Sequence, residues 1–235
     1  MNDTSKIFQD IVNMQDELNE KVVPGWREAN LNWSSAVLSE CNEYLDCFHW
    51  KWWKSGPNGA DLGKVIDKDN LIVESIDLLH FLISQYLSET KSSNEHLGTL
   101  LTSTYEKIQE RNETLIGTGS VSFDRVKTMK VLLSNSINAQ PGHALTALMV
   151  ILDDLGLSAV DIYEHYLSKN LLNFFRNLSG YKDPNVNYPK HVDGVEDNVI
   201  FKNIVSQVVE EMDDPSVEDI KKISFERMRQ AIFPN

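Results

Sequence analysis

The chain is poor in the residues that build tight turns. Its 235 residues include only 11 Gly and 7 Pro, too few for the many short connections of a β-sandwich or barrel. Basic charge is also scarce. Against 35 Asp and Glu stand 22 Lys and Arg, a formal net charge of −13. Such a surface repels the phosphates of nucleic acids and anionic membranes, so neither is an expected partner. It also means that a phosphate-bearing ligand would need local cations. Cysteine is nearly absent. Cys41 and Cys47 would lie about 9 Å apart along a helix axis, too far for a disulfide, and they read as small, half-buried residues of a reducing compartment. Long apolar runs are missing too. The purely apolar stretch Ala147–Leu152 is far short of the roughly 20 residues that span a bilayer. The opening MNDTSKIFQD has no apolar signal region. The expectation is a soluble, cytoplasmic protein.

What is present is helical periodicity. Phe8, Ile11, Val12, Met14, Gln15 and Leu18 mark a first helix that ends near Val23-Pro24-Gly25. A second is predicted from about Asn32 to Lys54, stopped by Ser55-Gly56-Pro57-Asn58-Gly59. Asp69 or Asn70 is expected to cap a third, which runs from Leu71 to about Leu87. Ser93 or Asn94 opens a fourth that reaches about Asn112. Further helices are predicted over Phe123–Ala139, Pro141–Leu155, Ser158–Leu178, Asn198–Met212 and Ser216–Ile232. The long irregular stretch, Ser179–Asp197, is rich in Gly, Asn, Pro, Tyr and Asp; a loop of that length is usually functional or disordered. The reading is one all-α domain over residues 1–235.

Acids interrupt two of the apolar stripes. Plotted at about 100° per residue, Trp33, Ala36, Val37, Tyr44 and Cys47 form one stripe, with Glu40 inside it and Glu43 on its edge. On the third helix Glu74 falls between Leu78 and Phe81, and Asp77 follows. Each helix thus carries two acids at i and i+3, which share a face. Burying an unpaired carboxylate costs several kcal/mol, and converging carboxylates repel one another. A multivalent cation relieves both costs, and hard oxygen ligands without thiolate or imidazole suit Mg²⁺ or Mn²⁺ better than zinc. Either pair taken alone reads more simply as a solvated helix face; it is their joint placement on apolar faces that favours a cation.

The motifs also resemble a family. Gln15-Asp16-Glu17-Leu18-Asn19, Glu40-Cys41-Asn42-Glu43, Trp50-Lys51-Trp52-Trp53-Lys54, Glu74-Ser75-Ile76-Asp77 and Lys169-Asn170-Leu171-Leu172-Asn173-Phe174-Phe175-Arg176, followed by Gly180-Tyr181-Lys182-Asp183 and Gly194-Val195-Glu196-Asp197-Asn198, occur in this order. The set resembles the dimeric all-α dUTPases, within the MazG-like all-α nucleotide pyrophosphohydrolases. Two departures fall in the last segment: Pro184 stands where the family often has Gly, and His191-Val192 where it usually has Trp.

The resemblance implies a MazG-like helical bundle and a homodimer. It implies hydrolysis of dUTP, and of dUDP with it, to dUMP. It makes Glu40, Glu43, Glu74 and Asp77 ligands of Mg²⁺, for which Mn²⁺ could substitute, and Glu43 is the choice for also holding and deprotonating the attacking water. Gln15 and Asn19 would read the base, since an amide offers a donor and an acceptor together; as a polar helix surface they would need no ligand. Trp33 would pack on base or sugar, or lie in the core. His80 would line the pocket, or be a satisfied structural histidine. Lys54, Lys169, Asn173, Arg176, Tyr181, Lys182, Lys190 and Asn198 would meet the phosphates. The competing readings are a phage-type dCTPase or dual dCTPase/dUTPase, and a helical interaction protein without turnover.

Overall fold

The computed structural model describes residues 3–54, 56–115, 124–213 and 215–233. These form α-helices and one two-residue-per-strand hairpin, in two compact units, 1–163 and 164–235. The all-α expectation holds.

The first unit contains α1 (Thr4–Val22), α2 (Trp33–Asp46), α3 (Lys68–Thr90), α4 (Asn94–Leu115), α5 (Arg125–Ile137), α6 (Pro141–Asp154) and the start of α7 (Ala159–Leu178). Side-chain caps set several starts. Asp3 accepts from the backbone N–H groups of Ser5 and Lys6 at α1, Asn32 from Ser35 at α2, and Asp124 from Lys127 at α5, which satisfies donors that no helical carbonyl can reach. At α3 the cap is Asp67, accepting from the N–H of Asn70, earlier than the expected Asp69 or Asn70. The predicted helix over Phe123–Ala139 is seen as α5, with Phe123 outside the described residues.

Helix α3 is the centre of this unit. It packs on α2, α6, α1 and α4, and its Leu71, Ile76, Leu78, Leu79, Leu82, Ile83 and Leu87 are buried. Among the described residues it is also the helix long and apolar enough to cross a membrane, but most of that apolar length is enclosed by the unit itself. Filling a core with aliphatic side chains at this density is the main stabilising contribution to such a unit.

One predicted element differs. The second helix does not reach Lys54; α2 stops at Asp46. Beyond it the chain pairs with a distant segment: the carbonyl of Cys47 accepts from the N–H groups of Ile66 and Asp67 at 2.9 and 3.2 Å, His49 N–H donates to Lys64 O at 2.9 Å, and Gly63 N–H donates to His49 O at 2.8 Å. Phe48 is buried against Tyr44, with ring centroids 5.8 Å apart. Backbone pairing across some fifteen residues has replaced the local i to i−4 ladder, and only a 3₁₀ turn at Trp52–Lys54 remains of the expected helix end.

The second unit holds the rest of α7, the hairpin β1 (His191–Val192) with β2 (Val195–Glu196), α8 (Asp197–Glu211) and α9 (Val217–Ile232). The strands pair antiparallel, His191 opposite Glu196. Phe175, Phe201 and Phe225 cluster with centroids 5.5 to 6.2 Å apart. Gly180 follows α7 at φ +73°, and a Cβ there would meet Val186 Cγ2 at 2.8 Å, so both the left-handed backbone and the close approach require glycine.

Candidate active site

Packing α2 against α3 brings acids together. A carboxylate oxygen from each of Glu40, Glu74 and Asp77 lies within 4.8 Å of the others. Glu74 is buried and the other two are half-buried. Both helices present these acids between apolar residues, so the backbone holds them at that spacing whatever their charge. Three carboxylates so close repel one another, and hard oxygens with this crowding fit a Mg²⁺- or Mn²⁺-sized cation. Glu43 is not part of this group. It lies one turn further along α2, exposed, where the Ser39 hydroxyl donates to its Oε1 at 3.5 Å.

Gln15 and Asn19 meet on α1, and a residue without a role in the sequence reading joins them. Gln15 Nε2 donates to Asn19 Oδ1 at 3.0 Å and to Ser84 Oγ at 3.0 Å, and Asn19 Nδ2 donates to Ser84 Oγ at 2.8 Å. Ser84 Oγ in turn donates to the carbonyl of His80 at 2.8 Å. Gln15 and Ser84 are buried, Asn19 half-buried. Asp77, Phe81 and Ser84 lie at i, i+4 and i+7, hence on one side of α3. The acid group and the amide pair are therefore served by the same helix.

Trp33 is half-buried, edge-on to Trp26 at 5.7 Å and tilted towards Phe81 at 6.4 Å between centroids. Its buried Nε1 has no hydrogen-bond partner among the described residues. A buried donor left unmet costs about 1–3 kcal/mol, so an acceptor from a ligand would be welcome there. His80 is buried, and its Nδ1 lies 2.9 Å from the carbonyl of Ile76. A carbonyl only accepts, so Nδ1 carries the proton. Lys54 is exposed at the end of the Trp52–Lys54 turn; Trp52 and Trp53 are exposed, and Trp50 is half-buried.

Burial, with a lesser contribution from the charge of Glu40, pushes the Cys41 thiol up to about 12. Both cysteines are free and buried.

In the second unit the expected phosphate residues are deployed unevenly. Lys169 and Asn173 are half-buried one turn apart on α7, while Tyr181 and Lys182 are exposed. Arg176 has an internal partner: its Nε and Nη2 donate to Asp197 Oδ2 and Oδ1 at 2.9 and 2.6 Å, and its guanidinium lies 5.0 Å from the Tyr181 ring centroid. Tyr188 Oη adds a third donor to Asp197, at 2.8 Å. Asp197 has no exposed surface. Burial alone would raise its carboxyl, but the hydrogen bonds and charge of Arg176, helped by Tyr188, hold it below the ordinary Asp value. Lys190 pairs with Glu196 at 2.9 Å, and Asn198 is half-buried with its side chain hydrogen-bonded to Glu196. The stretch predicted as one long loop is thus tied at both ends, by Arg176–Asp197 and by the hairpin.

Ser84 and Asp197 carry roles that sequence reading did not assign. A serine in an apolar helix reads as a small filler, and Arg176 with Asp197 are too far apart in sequence for helical spacing to link them.

Comparison with known proteins adds one match. A family model with the description dUTPase matches residues 7–181. That span includes the acid group, the amide pair, Trp33, His80, Lys54, Lys169, Asn173, Arg176 and Tyr181, and ends before Lys182, Lys190 and Asn198. No curated protein matches the chain.

Proposed function

From the dUTPase family, to which this chain belongs, we propose that it hydrolyses both dUTP and dUDP to dUMP in a reaction that depends on a divalent cation, Mg²⁺ or Mn²⁺. Hydrolysis of dUTP is the activity the family carries; the diphosphate substrate, the metal and the residue roles are our reading. The observation that carries it is the convergence of Glu40, Glu74 and Asp77 between apolar neighbours of two packed helices. Four negative charges on a nucleoside triphosphate would be repelled by these acids without a cation. When bound, the metal would neutralise that repulsion and orient the phosphate oxygens.

The chain's own groups then divide the work. Glu40, Glu74 and Asp77 hold the cation. Glu43, exposed one turn away, accepts the proton of the attacking water. Gln15 and Asn19 read the uracil edge, and Trp33 and His80 line the base and sugar. Lys54, Lys169, Asn173, Tyr181, Lys182, Lys190 and Asn198 offer charge and donors to the phosphates. The bidentate pair with Asp197 supports a positioning part for Arg176: it fixes the segment that carries Tyr181, Lys182 and Lys190. The two units serve as one functional domain, and the protein works as a homodimer.

The test is turnover of dUTP, dUDP and dCTP by the purified chain, each with Mg²⁺ and with EDTA. We expect dUMP from the first two with Mg²⁺ alone. Equal kcat/KM for dCTP and dUTP would replace this reading by a dual-specificity enzyme. No turnover of any of them would replace it by a binding protein, and full activity in EDTA would remove the metal.

A further inference from the structure

Ser84 lies outside the set of residues that would touch the nucleotide, yet its hydroxyl is saturated. A hydroxyl has one proton and two lone pairs. The proton goes to the carbonyl of His80 at 2.8 Å, because a carbonyl cannot donate. Both remaining lone pairs receive amide N–H groups, from Gln15 at 3.0 Å and Asn19 at 2.8 Å. Rotating either amide by half a turn would set an oxygen against an oxygen that has no proton left to give. The amide orientation therefore follows from hydrogen-bond chemistry and does not depend on telling nitrogen from oxygen. Gln15 commits both hydrogens of its amide, the second to Asn19 Oδ1 at 3.0 Å, which holds Asn19 from the other side.

These bonds occupy the edge of the Asn19 amide where N–H and oxygen point the same way, and leave one N–H and one lone pair that point apart, in a fixed order. That order matters for pyrimidines. Uracil shows an acceptor at O4 beside a donor at N3, whereas cytosine shows a donor at N4 beside an acceptor at N3. An amide that could turn over would offer donor or acceptor to whichever atom stood beside it; one that is held offers a donor where O4 of uracil accepts, or an acceptor where N3 of uracil donates, and not the reverse. We propose that Ser84 is the specificity-determining positioning residue of the base site: it locks the Gln15–Asn19 amides in the orientation that accepts uracil and refuses cytosine. The inference rests on the reading of Gln15 and Asn19 as the base-recognising pair.

The experiment compares kcat/KM for dUTP and dCTP in the wild type, Ser84→Ala, Ser84→Thr and Asn19→Ala. Ser84→Ala keeps the helix, as alanine is the better helix former. The dUTP-to-dCTP ratio falls by at least about tenfold, because a site built on hydrogen bonds discriminates strongly only while its donors and acceptors are fixed. Ser84→Thr keeps a hydroxyl able to reach the i−4 carbonyl and restores the ratio. In the free protein, the ¹⁵N side-chain amide signals of Gln15 and Asn19 exchange hydrogen faster in Ser84→Ala than in wild type, a change that needs no turnover to be seen. An unchanged ratio in Ser84→Ala, or an equal loss on both substrates, overturns the proposal. Failure of the underlying reading looks different: Asn19→Ala would then leave the ratio untouched. If Asn19→Ala collapses the ratio and Ser84→Ala does not, the base site stands and Ser84 has no part in it.

Discussion

Two acidic settings in this chain, one in each unit, are built in different ways. In the second unit Asp197, wholly enclosed, is answered by the chain's own cation and donor, Arg176 and Tyr188. In the first unit Glu40, Glu74 and Asp77 face one another within 4.8 Å, where their charges oppose. The contrast separates structure from function. An acid matched from within stabilises its surroundings and has little left to offer a ligand. On the proposed reading, a cluster of acids held together by helix packing would be under electrostatic load that an external cation could relieve as binding energy.

The sharpest test of the first setting is to remove one acid from it and one beside it. Glu74→Gln should lower kcat on dUTP about a thousandfold, since metal-assisted charge stabilisation contributes several kcal/mol; release of diphosphate measures it. Glu43→Gln should cost about a hundredfold. Near wild-type turnover in either would take that residue out of the reaction.

Stability should respond in the reverse sense. Arg176→Ala leaves Asp197 buried and unmatched and should cost about 3–5 kcal/mol of unfolding free energy by denaturant titration. Glu74→Gln, measured in EDTA, should cost less than Arg176→Ala because it removes repulsion among the three acids. Equal losses would erase the distinction between the two settings. Mg²⁺ or Mn²⁺ at about a hundred times its dissociation constant should add about 2.7 kcal/mol, read as a rise in Tm. That increment should vanish in Glu74→Gln and persist in Arg176→Ala.

Acid provides a finer test. The folded carboxyl of Asp197 lies below its unfolded value, so its contribution is complete above about pH 3.9 and fades as pH falls through the lower folded value. Arg176→Ala should therefore flatten the acid limb of the stability profile. The smallest expected signal is at Cys41, whose thiol burial pushes up to about 12. It should resist alkylation at pH 8 in the native state and react on unfolding.

Much of the fold could be read from spacing alone. Helices α4 to α9 begin and end within a few residues of where caps, prolines and apolar periodicity place them. Helix α2 could not be read to its end, because residues 47–49 pair with 63–67, and no local pattern announces a partner that far away. Glu40, Glu74 and Asp77 were legible because a carboxylate inside an apolar stripe is anomalous. Glu43 already sat at the edge of its stripe, and the structure leaves it exposed. What stayed hidden was the pairing of side chains from different elements. Nothing in the order of residues joins Ser84 to Gln15, or Arg176 to Asp197.

Helix α3 carries Asp77 at the acid group and Ser84 at the amide pair, seven residues on. At about 1.5 Å per residue that separation is about 10 Å, and it acts as a rigid gauge. Inserting one residue between them would shift Ser84 by about 1.5 Å and swing it by about 100°, away from α1. Removing one would swing it equally in the other direction. Loops elsewhere in the chain can lengthen at little cost, but this interval cannot change by a single residue without uncoupling the two ends of the site. Among descendants of this sequence, insertions and deletions should therefore be absent from residues 77–84 even where substitutions accumulate.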